Sequence, residues 1–443
     1  MSGRYGNGPG RRAVLGGTAA AASAFALGGC GGGETAPKVR KQGQKINLTF
    51  WSWVPMIGNA VDLWNKTHPE VQVEVELLSA IDGIQYAKMN SAVKAGNPPD
   101  LAQIEFPVIS AFVLEDALTD LTTLRGAEEA KKKFTGWQWR QSVFGKAVYA
   151  IPQASGPMGM YLRADLFDKW GIDVPRTWDE YEQAAAEVRK HDAYIETFAS
   201  PNSMRFTGYA WQAGAKWFRA EGDEWIITID DGPTRKVADY WENLVRRKLV
   251  KTIPDQRNAW YKDVQTGSII GWLAASWGDA LLVGNGGPTA GKWRAYPMPQ
   301  WQEGGNAQAN WGGSTTAVFK GCTYPQDAMD FAVWLNSDPG AVQALIKGGA
   351  GWPAAKTGWK PEDTEMGRKF FGGQHYSSVF ERADRAVDTS WQWGPLMDTL
   401  NLRLWDAFND ALAEGISFRK VLQKVQKEHV EDLKNKGLKV RAG

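Results

Sequence analysis

Strand and helix patterns alternate in the chain from residue 46 onward, and this alternation limits the fold more than any other feature. Val71, Val73 and Val75 alternate with polar residues, which predicts a half-buried strand. A helix pattern precedes this strand and another follows it, and the strand–helix order continues to residue 104. Such an order favours crossover connections that cover a largely parallel sheet with helices. We therefore predict an α/β fold.

A second series of the same kind begins after Pro152. Thr177 is followed three residues later by Glu180, which predicts a capping box at the start of a helix. From Pro325 onward the pattern is mainly helical. About four hundred residues follow the leader described next, and a single core stops growing at roughly 250 to 300 residues. We expect two lobes, each a sheet flanked by helices, and a helical C-terminal region.

The first 29 residues have the composition of an export signal. Arg11 and Arg12 precede an uncharged run at 13–27, which is too short to span a bilayer. The arginine pair resembles a twin-arginine signal, whose receptor reads an address. Leu27 to Cys30 resembles a bacterial lipobox, in which Cys30 would carry acyl chains such as palmitate and hold the protein on the outer face of the cell membrane. A cleavage site with an incidental cysteine is the alternative. Residues 30–45 are rich in glycine and charge, which predicts a flexible tether.

The charge balance and the cysteine count exclude several classes of protein. The chain has 51 basic and 49 acidic residues, and three of the basic ones lie in the predicted signal, so the remainder is near neutral. This balance gives no electrostatic footprint for nucleic acid. Apart from Cys30 only Cys322 is present, so no disulfide can form within the chain. We expect a monomer without a cofactor.

No catalytic or metal-binding motif is complete in the sequence. Residues 286–292 have the glycine spacing of a phosphate loop, but Trp293 stands where Ser or Thr should ligate Mg²⁺, so we predict a surface turn. The four histidines are scattered, and we expect no metal site and a solvated position for His68 and His429. Glu105 and Asp279 could in principle form the carboxylate pair of a glycoside hydrolase.

Tryptophan is the unusual residue, with 23 copies against 12 tyrosines. Large aromatic residues are valuable in cores, so many of these must be buried. Eight of them lie in loop-like surroundings with glycine, proline, serine or asparagine nearby: Trp51, Trp53, Trp211, Trp277, Trp311, Trp352, Trp391 and Trp393. Indole rings in such positions are typical of a surface that stacks on a ligand.

An ordered set of short motifs resembles the extracellular solute-binding proteins of family 1, typified by maltose-binding protein. The likeness covers nearly the whole chain after the leader. The motifs are Leu48 to Trp53, His68 to Val73, Ala95 to Leu101, Gly145-Lys146, Tyr149 to Pro152, Tyr161 to Phe167, Thr177 to Glu180, Ser276 to Asp279 and Trp311 to Thr316. Each motif is weak alone, but together they occur in the order of the family.

The resemblance implies the two-lobed periplasmic-binding-protein-like fold of type II. By that likeness the first lobe comprises 46–152 and 298–315, and the second comprises 155–295 and 317–443. It also implies an extracytoplasmic protein that binds a solute between the lobes and presents it to the permease of an ABC importer. A mono- or oligosaccharide is the expected ligand, because sugar C–H faces stack on indole and sugar hydroxyls need polar partners.

For stacking on this sugar we expect Trp53, Trp277, Trp311 and Trp393, and for its hydroxyls Glu105 and Asp279. Further candidates for the same cleft are Trp51, Gln103, Tyr209, Trp211, Trp352 and Trp391. Two alternatives remain open. A secreted carbohydrate-active enzyme would need a carboxylate pair at the scissile bond, and a binding protein for a phosphodiester or a polyamine would need a strongly charged cleft instead of tryptophans.

Overall fold

The computed structural model describes residues 36–79, 83–198, 203–358 and 363–443. The predicted signal at 1–29, the lipobox with Cys30 and the start of the tether lie outside these ranges. Within them, no helix combines the length and the apolar character needed to cross a membrane.

The described residues form an α/β fold, as predicted. Its strands are β1 Ile46–Ser52, β2 Val71–Leu77, β3 Leu101–Glu105, β4 Val143–Phe144, β5 Ala147–Val148, β6 Ala150–Ser155, β7 Met158–Arg163, β8 Phe218–Glu221, β9 Glu224–Ile227, β10 Gly271–Ala275, β11 Trp293–Tyr296, β12 Ser314–Val318, β13 Trp352–Pro353 and β14 Lys439–Ala442.

The helices of the same residues are α1 Ile57–Thr67, α2 Ile84–Lys94, α3 Ile109–Leu114, α4 Ala127–Lys131, α5 Gly136–Arg140, α6 Ala164–Trp170, α7 Trp178–Arg189, α8 Met204–Gln212, α9 Gly232–Arg246, α10 Asn258–Thr266, α11 Gly278–Asn285, α12 Pro325–Ser337, α13 Pro339–Lys347, α14 Glu365–Phe370, α15 Ser377–Arg385, α16 Met397–Glu414 and α17 Phe418–Asn435. The predicted capping box at Thr177 and Glu180 is present at the start of α7.

The first sheet has six strands in the order β13-β6-β12-β3-β1-β2. Strands β2, β1 and β3 are parallel, as the alternating pattern predicts, because α1 and α2 connect them as crossovers. Strand β12 runs antiparallel to both β3 and β6, and β13 runs antiparallel to β6. The expectation of a largely parallel sheet therefore holds only for the first half of this sheet, since β12 arrives from the other lobe rather than through a local crossover.

The second sheet has the order β10-β7-β11, and both outer strands run antiparallel to β7. The chain passes from the first sheet to the second at Gly156-Pro157, between β6 and β7. It returns between Tyr296 and Ser314, from β11 to β12. A smaller sheet, β14-β9-β8, lies against α17. These passages place the carboxyl edge of the first sheet next to the second lobe.

One part of the predicted lobe division needs correction. Helices α12 and α13, at 325–347, were expected in the second lobe, but they pack on α1 and on the first sheet. Phe331 of α12 contacts Phe50 of β1 edge to face, with ring centroids 5.7 Å apart. This apolar face was not distinguishable in the sequence from those of the later helices.

The tether is the second correction, because its last residues are bound to the body. Arg40 forms ion pairs with Glu70 and Asp327, each at 2.8 Å, and Gln44 donates a hydrogen bond of 2.7 Å to the hydroxyl of Tyr324. Lys38 also donates its backbone N–H to the Thr323 carbonyl at 2.8 Å, so any free tether ends before Lys38.

His429 is a third correction. Its ring is fully buried in α17 against Phe218, and burial lowers its pKa to about 4, so it is not the solvated histidine that the polar sequence around it suggested. The turn at 286–292 agrees with its prediction and includes a short 3-10 helix, Gly287–Thr289.

Asp384 of α15 links the second lobe to the first sheet. Helix α15 packs on β7, while the Asp384 carboxylate accepts a hydrogen bond of 3.0 Å from Ser155 at the end of β6. Burial raises the pKa of Asp384 to about 6. Between about pH 4 and pH 6 the folded protein thus holds a proton that the unfolded chain has released.

We expect this proton to make the free energy of unfolding decrease as the pH rises from 4 to 6. The stabilisation by protonated Asp384 is complete below about pH 4 and is lost above pH 6, and we expect it to amount to about 1 to 2 kcal/mol. Urea unfolding of the ligand-free protein should show this slope, and Asp384→Asn should reduce it. Asp173→Asn, at an exposed carboxylate, is the control and should keep the slope. Equal slopes in all three proteins would contradict the assignment.

Candidate functional site

A row of polar side chains crosses the carboxyl edge of the first sheet. Ser52 donates to Gln103 at 2.8 Å, the Gln103 amide donates to Ser314 at 3.0 Å, and Ser314 donates to Gln153 at 2.8 Å. All four side chains are buried, so these hydrogen bonds take the place of hydrogen bonds to water. Gln103, a predicted ligand contact, links its own strand β3 to β1 and to β12. It also accepts the backbone N–H of Trp53 at 3.2 Å, which places that residue at the edge.

Trp53, Tyr86 and Glu105 form the wall of the site that the first lobe contributes. Trp53 follows β1, and its ring meets Tyr86 of α2 edge to face at 5.8 Å. The Tyr86 hydroxyl donates to Glu105 Oε2 at 2.9 Å and accepts the backbone N–H of Glu105 at 3.1 Å. All three side chains keep part of their surface exposed. Burial nonetheless raises the pKa of Glu105, against the opposite effect of the Tyr86 hydrogen bond.

The second lobe contributes the loop from Ser276 to Asp279, which follows β10. The hydroxyl of Tyr161, on the neighbouring strand β7, lies within hydrogen-bond distance of the carbonyls of Ala275 and Ser276, at 3.1 and 3.2 Å. This contact anchors the loop to β7. A Cβ at Gly278 would lie 2.8 Å from the ring of Trp272, so only glycine lets the loop lie this close. The result is that Trp277 is half-buried, with its ring edge to face against Trp311 at 4.8 Å.

Two of the segments that connect the lobes contact each other through their backbones beside this loop. Trp311 N–H donates to the Gly156 carbonyl at 2.8 Å, and Gly156 N–H donates to the Asn310 side chain at 2.8 Å. The Asn310 amide in turn donates to the Gly312 carbonyl at 2.9 Å. A Cβ at Gly156 would lie only 2.0 Å from the Trp311 oxygen. Glycine at 156 is therefore required for this contact.

Gly312 is the place where the two walls meet. Its φ is +77°, and a Cβ there would lie 3.4 Å from Glu105 Oε1 and 3.9 Å from Trp277 Nε1. Trp277 Nε1 donates to the Trp311 carbonyl at 3.3 Å. The structure thus brings together four of the predicted residues, Trp53, Glu105, Trp277 and Trp311, from both lobes. With Tyr86 they are called the Glu105 cluster below.

Asp279 and Trp352 line a small cavity on the other side of Trp277. Tyr376 donates to Asp279 Oδ2 at 2.9 Å, and burial raises the pKa of Asp279 to about 6. The cavity has a volume of about 50 Å³, enough for a few water molecules. The cavity is lined from both lobes, by Trp277 and Asp279 of the second and by Trp352 of the first.

Three other predicted tryptophans form a separate cluster at the contact of the lobes. Trp211 stacks on Trp391 at 4.8 Å and meets Trp393 edge to face at 5.8 Å, and all three are at most 5% exposed. Trp137 of α5, from the first lobe, contacts Trp211 at 6.4 Å. These four residues are called the tryptophan cluster below. In this structure their rings pack against one another.

Two predicted site residues lie elsewhere. Tyr209 is 1% exposed and stacks on Trp241 at 5.0 Å, so it is a core residue of the second lobe. Trp51 points to the opposite face of β1 from Ser52, where Lys88 lies 4.4 Å above its ring. Aromatic type and loop-like neighbours selected both residues, but neither feature indicates which way a side chain points.

Three aromatic residues near the cleft were not predicted, namely Tyr86, Tyr376 and Trp137. Tyr86 lies in a helix pattern one residue after Gln85, which is buried, and the sequence gives no sign that its hydroxyl faces Glu105. A tyrosine positioned to hydrogen-bond each predicted carboxylate is visible only in three dimensions. Across the ranges that the structure describes, no group of histidine, cysteine and carboxylate side chains is arranged to hold a metal ion.

The chain is similar to known proteins in sequence and in fold. The model of the bacterial extracellular solute-binding proteins matches residues 52–342. The arabinooligosaccharide-binding protein of Bacillus subtilis (strain 168) is 24% identical over 319 residues, which are 69% of this chain and 72% of that relative.

Two solved structures are similar over most of the chain. One is the galacto-N-biose-/lacto-N-biose I-binding protein of the ABC transporter from Bifidobacterium longum in complex with lacto-N-biose. It has 26% identity and a TM-score of 0.82, covering 90% of this chain and 100% of that one. The other is the ABC transporter associated binding protein from B. animalis subsp. lactis Bl-04 in complex with β-1,6-galactobiose. It has 25% identity and a TM-score of 0.80, with the same coverage. The fold is the two-lobed, periplasmic-binding-protein-like fold of type II, and the chain belongs to the bacterial extracellular solute-binding protein family.

Proposed function

We propose that this solute-binding protein captures a mono- or oligosaccharide between its lobes and presents it to the permease of an ABC importer. The observation that carries the proposal is the Glu105 cluster, in which indole rings and a carboxylate from both lobes meet at Gly312. Indole faces suit the C–H faces of a sugar, and carboxylates accept hydrogen bonds from its hydroxyls. The similar proteins named above bind arabinooligosaccharides, lacto-N-biose and β-1,6-galactobiose, which supports the same class of ligand.

Binding would shift the lobes from an open to a closed arrangement. Trp53 and Glu105 belong to the first lobe, and Trp277 and Asp279 belong to the second. A ligand that touches both lobes interacts better with the closed form, so it must favour closure. The permease would then recognise the closed, loaded protein as a monomer.

We also propose that Cys30 carries a lipid which holds the protein on the outer face of the membrane. The support for this is the Leu27 to Cys30 motif after a signal-like leader. The tether would then end before Lys38, whose backbone N–H already donates to the Thr323 carbonyl at 2.8 Å.

Trp277→Ala should weaken sugar binding more than it weakens the fold. The half-buried ring would no longer cover the ligand, which we expect to reduce affinity by about 2 to 4 kcal/mol, or roughly thirtyfold to a thousandfold. Calorimetric titration measures the affinity, and small-angle scattering with and without sugar measures closure.

The matched control for this variant is Trp170→Ala. Trp170 has similar exposure but stacks on His191 at the end of α6, away from the cleft. It should lower stability and leave affinity unchanged. If Trp277→Ala keeps both affinity and ligand-induced compaction while the melting temperature of the free protein falls, Trp277 is a core residue and the proposed cleft is misplaced.

Cys30→Ala should release the protein from the membrane fraction or leave it unprocessed, and it should abolish labelling with radioactive palmitate. Unchanged membrane retention without lipid on the mature N-terminus would refute the lipobox. The export route is tested separately, by replacing Arg11 and Arg12 with lysine. We expect this change to block export, and normal export would show that the general pathway is used.

The protein should return its sugar intact after prolonged incubation, because each carboxylate of the cleft is bonded to a tyrosine and neither belongs to a recognisable catalytic motif. Chromatography of the incubated sugar measures this. Product formation that disappears in Glu105→Gln or Asp279→Asn would favour a glycoside hydrolase instead.

A further inference from the structure

Glu105 has one carboxylate oxygen that the protein leaves unbonded. Oε2 accepts the Tyr86 hydroxyl at 2.9 Å, whereas no described residue donates a hydrogen bond to Oε1. Oε1 lies on the Gly312 side, where the same 4 Å neighbourhood contains Trp277 Nε1. The unbonded oxygen therefore faces the second lobe across a gap that glycine keeps open.

The surroundings of this oxygen are aromatic. Tyr86 and Trp53 meet edge to face on the side of the first lobe, and Trp277 and Trp311 do so on the side of the second. The faces of such rings carry partial negative charge and attract cations, Trp most strongly. A positively charged group is therefore attracted here both by the negative charge of the carboxylate and by the faces of the indole rings.

The protein itself supplies no cation to this place within its described residues. Neither Glu105 nor Asp279 forms an ion pair there. Glu105 accepts a hydrogen bond from Tyr86, and Asp279 accepts hydrogen bonds from Tyr376 and from the backbone N–H of Ala280. The Arg205 guanidinium lies 5.9 Å from the Trp311 ring centroid. It is buried and paired with Glu196 and Asp255 at 3.2 and 3.3 Å, so its charge is already balanced.

Closure of the lobes increases the energetic cost of leaving the charge of Glu105 unpaired. As water leaves the cleft, an unpaired carboxylate becomes costly, and a ligand that neutralises it gains more than one that only hydrogen-bonds to it. A ligand hydroxyl would donate a hydrogen bond to the free oxygen of Glu105 but would leave the negative charge of that carboxylate unneutralised. A second carboxylate would add a like charge to the same closed space.

From this geometry we propose that the cleft selects its sugar by charge. Resting on the proposed sugar-binding function, the inference is that the preferred glycan carries a protonated amino group, seated on Glu105 Oε1 against the Trp277 ring. The same glycan with a hydroxyl at that position binds more weakly, and the one with a carboxylate binds most weakly.

The test uses a panel of disaccharides that presents each skeleton in three forms. Glucose-, galactose- and mannose-based disaccharides would each carry a hydroxyl, a 2-amino group or a 6-carboxylate, and binding would be measured by calorimetry with the purified full-length protein. On a skeleton that binds, we expect the amine to bind about tenfold or more tighter than the hydroxyl, and the carboxylate about tenfold or more weaker.

The expected cause is tested with Glu105→Gln, which keeps the shape and the Tyr86 contact but removes the charge. It should remove most of the difference between amine and hydroxyl. Glu128→Gln is the matched control, because Glu128 is exposed on α4, and it should keep the full difference. If Glu105→Gln does not fold, as its melting curve would show, Glu105→Asp tests the same carboxylate, because it keeps the charge but withdraws it by one methylene group and should reduce the preference for the amine.

The outcomes separate the two levels of the proposal. If sugars bind but amine, hydroxyl and carboxylate forms bind equally, or if Glu105→Gln keeps the preference, the charge inference is overturned and sugar binding stands. If no sugar form binds, or if only spermidine binds, the proposed sugar function falls and the inference falls with it.

Discussion

The site depends on one backbone contact, between Gly156 and Trp311. These residues belong to two of the segments that pass between the sheets, and the hydrogen bond of 2.8 Å between them leaves no room for a side chain at position 156. Asn310 adds a bond to each segment, at 2.8 and 2.9 Å. Because Trp311 is fixed here, Trp277 and Gly312 are fixed as well, and the two walls of the cleft meet at a defined place.

Around this contact the same chemistry occurs on both lobes. A tyrosine hydroxyl donates to a carboxylate at 2.9 Å in each wall, Tyr86 to Glu105 and Tyr376 to Asp279. Burial raises the pKa of both carboxylates because water can no longer solvate the charged form well. A protein core would avoid two such groups. Their presence where the lobes meet is typical of a binding cleft, in which the ligand supplies the missing partners.

The tryptophans divide into two kinds that differ in accessibility rather than in type. Trp277 and Trp53 keep part of their rings exposed at the cleft. Trp178, Trp217 and Trp272 are at most 1% exposed and stabilise the second lobe by burying large apolar areas. The tryptophan cluster shares a feature with each kind. Its rings are buried, as in the core, but they come from both lobes, as at the cleft. Movement of the lobes would expose it.

The sequence alone determined the elements with regular patterns and strong local signals. The alternating valines of β2, the capping box at Thr177 and the helical C-terminal region are local features, and the structure has them all. The ordered motifs were sufficient to indicate the family, and two of them include Trp53 and Trp277, while Glu105 lies four residues after a third. Each of these residues follows or ends a buried strand, so its approximate place could be predicted.

Only the tertiary structure decided which candidate side chains share a site. Tyr209 and Trp277 are both aromatic residues near glycine, yet one packs in the core and the other faces Glu105 across Gly312. Helices α12 and α13 lie on the first sheet although they follow the second lobe in the chain. The direction of a side chain and the partner of an apolar helix face depend on contacts between residues far apart in sequence. Local patterns carry no information about those contacts.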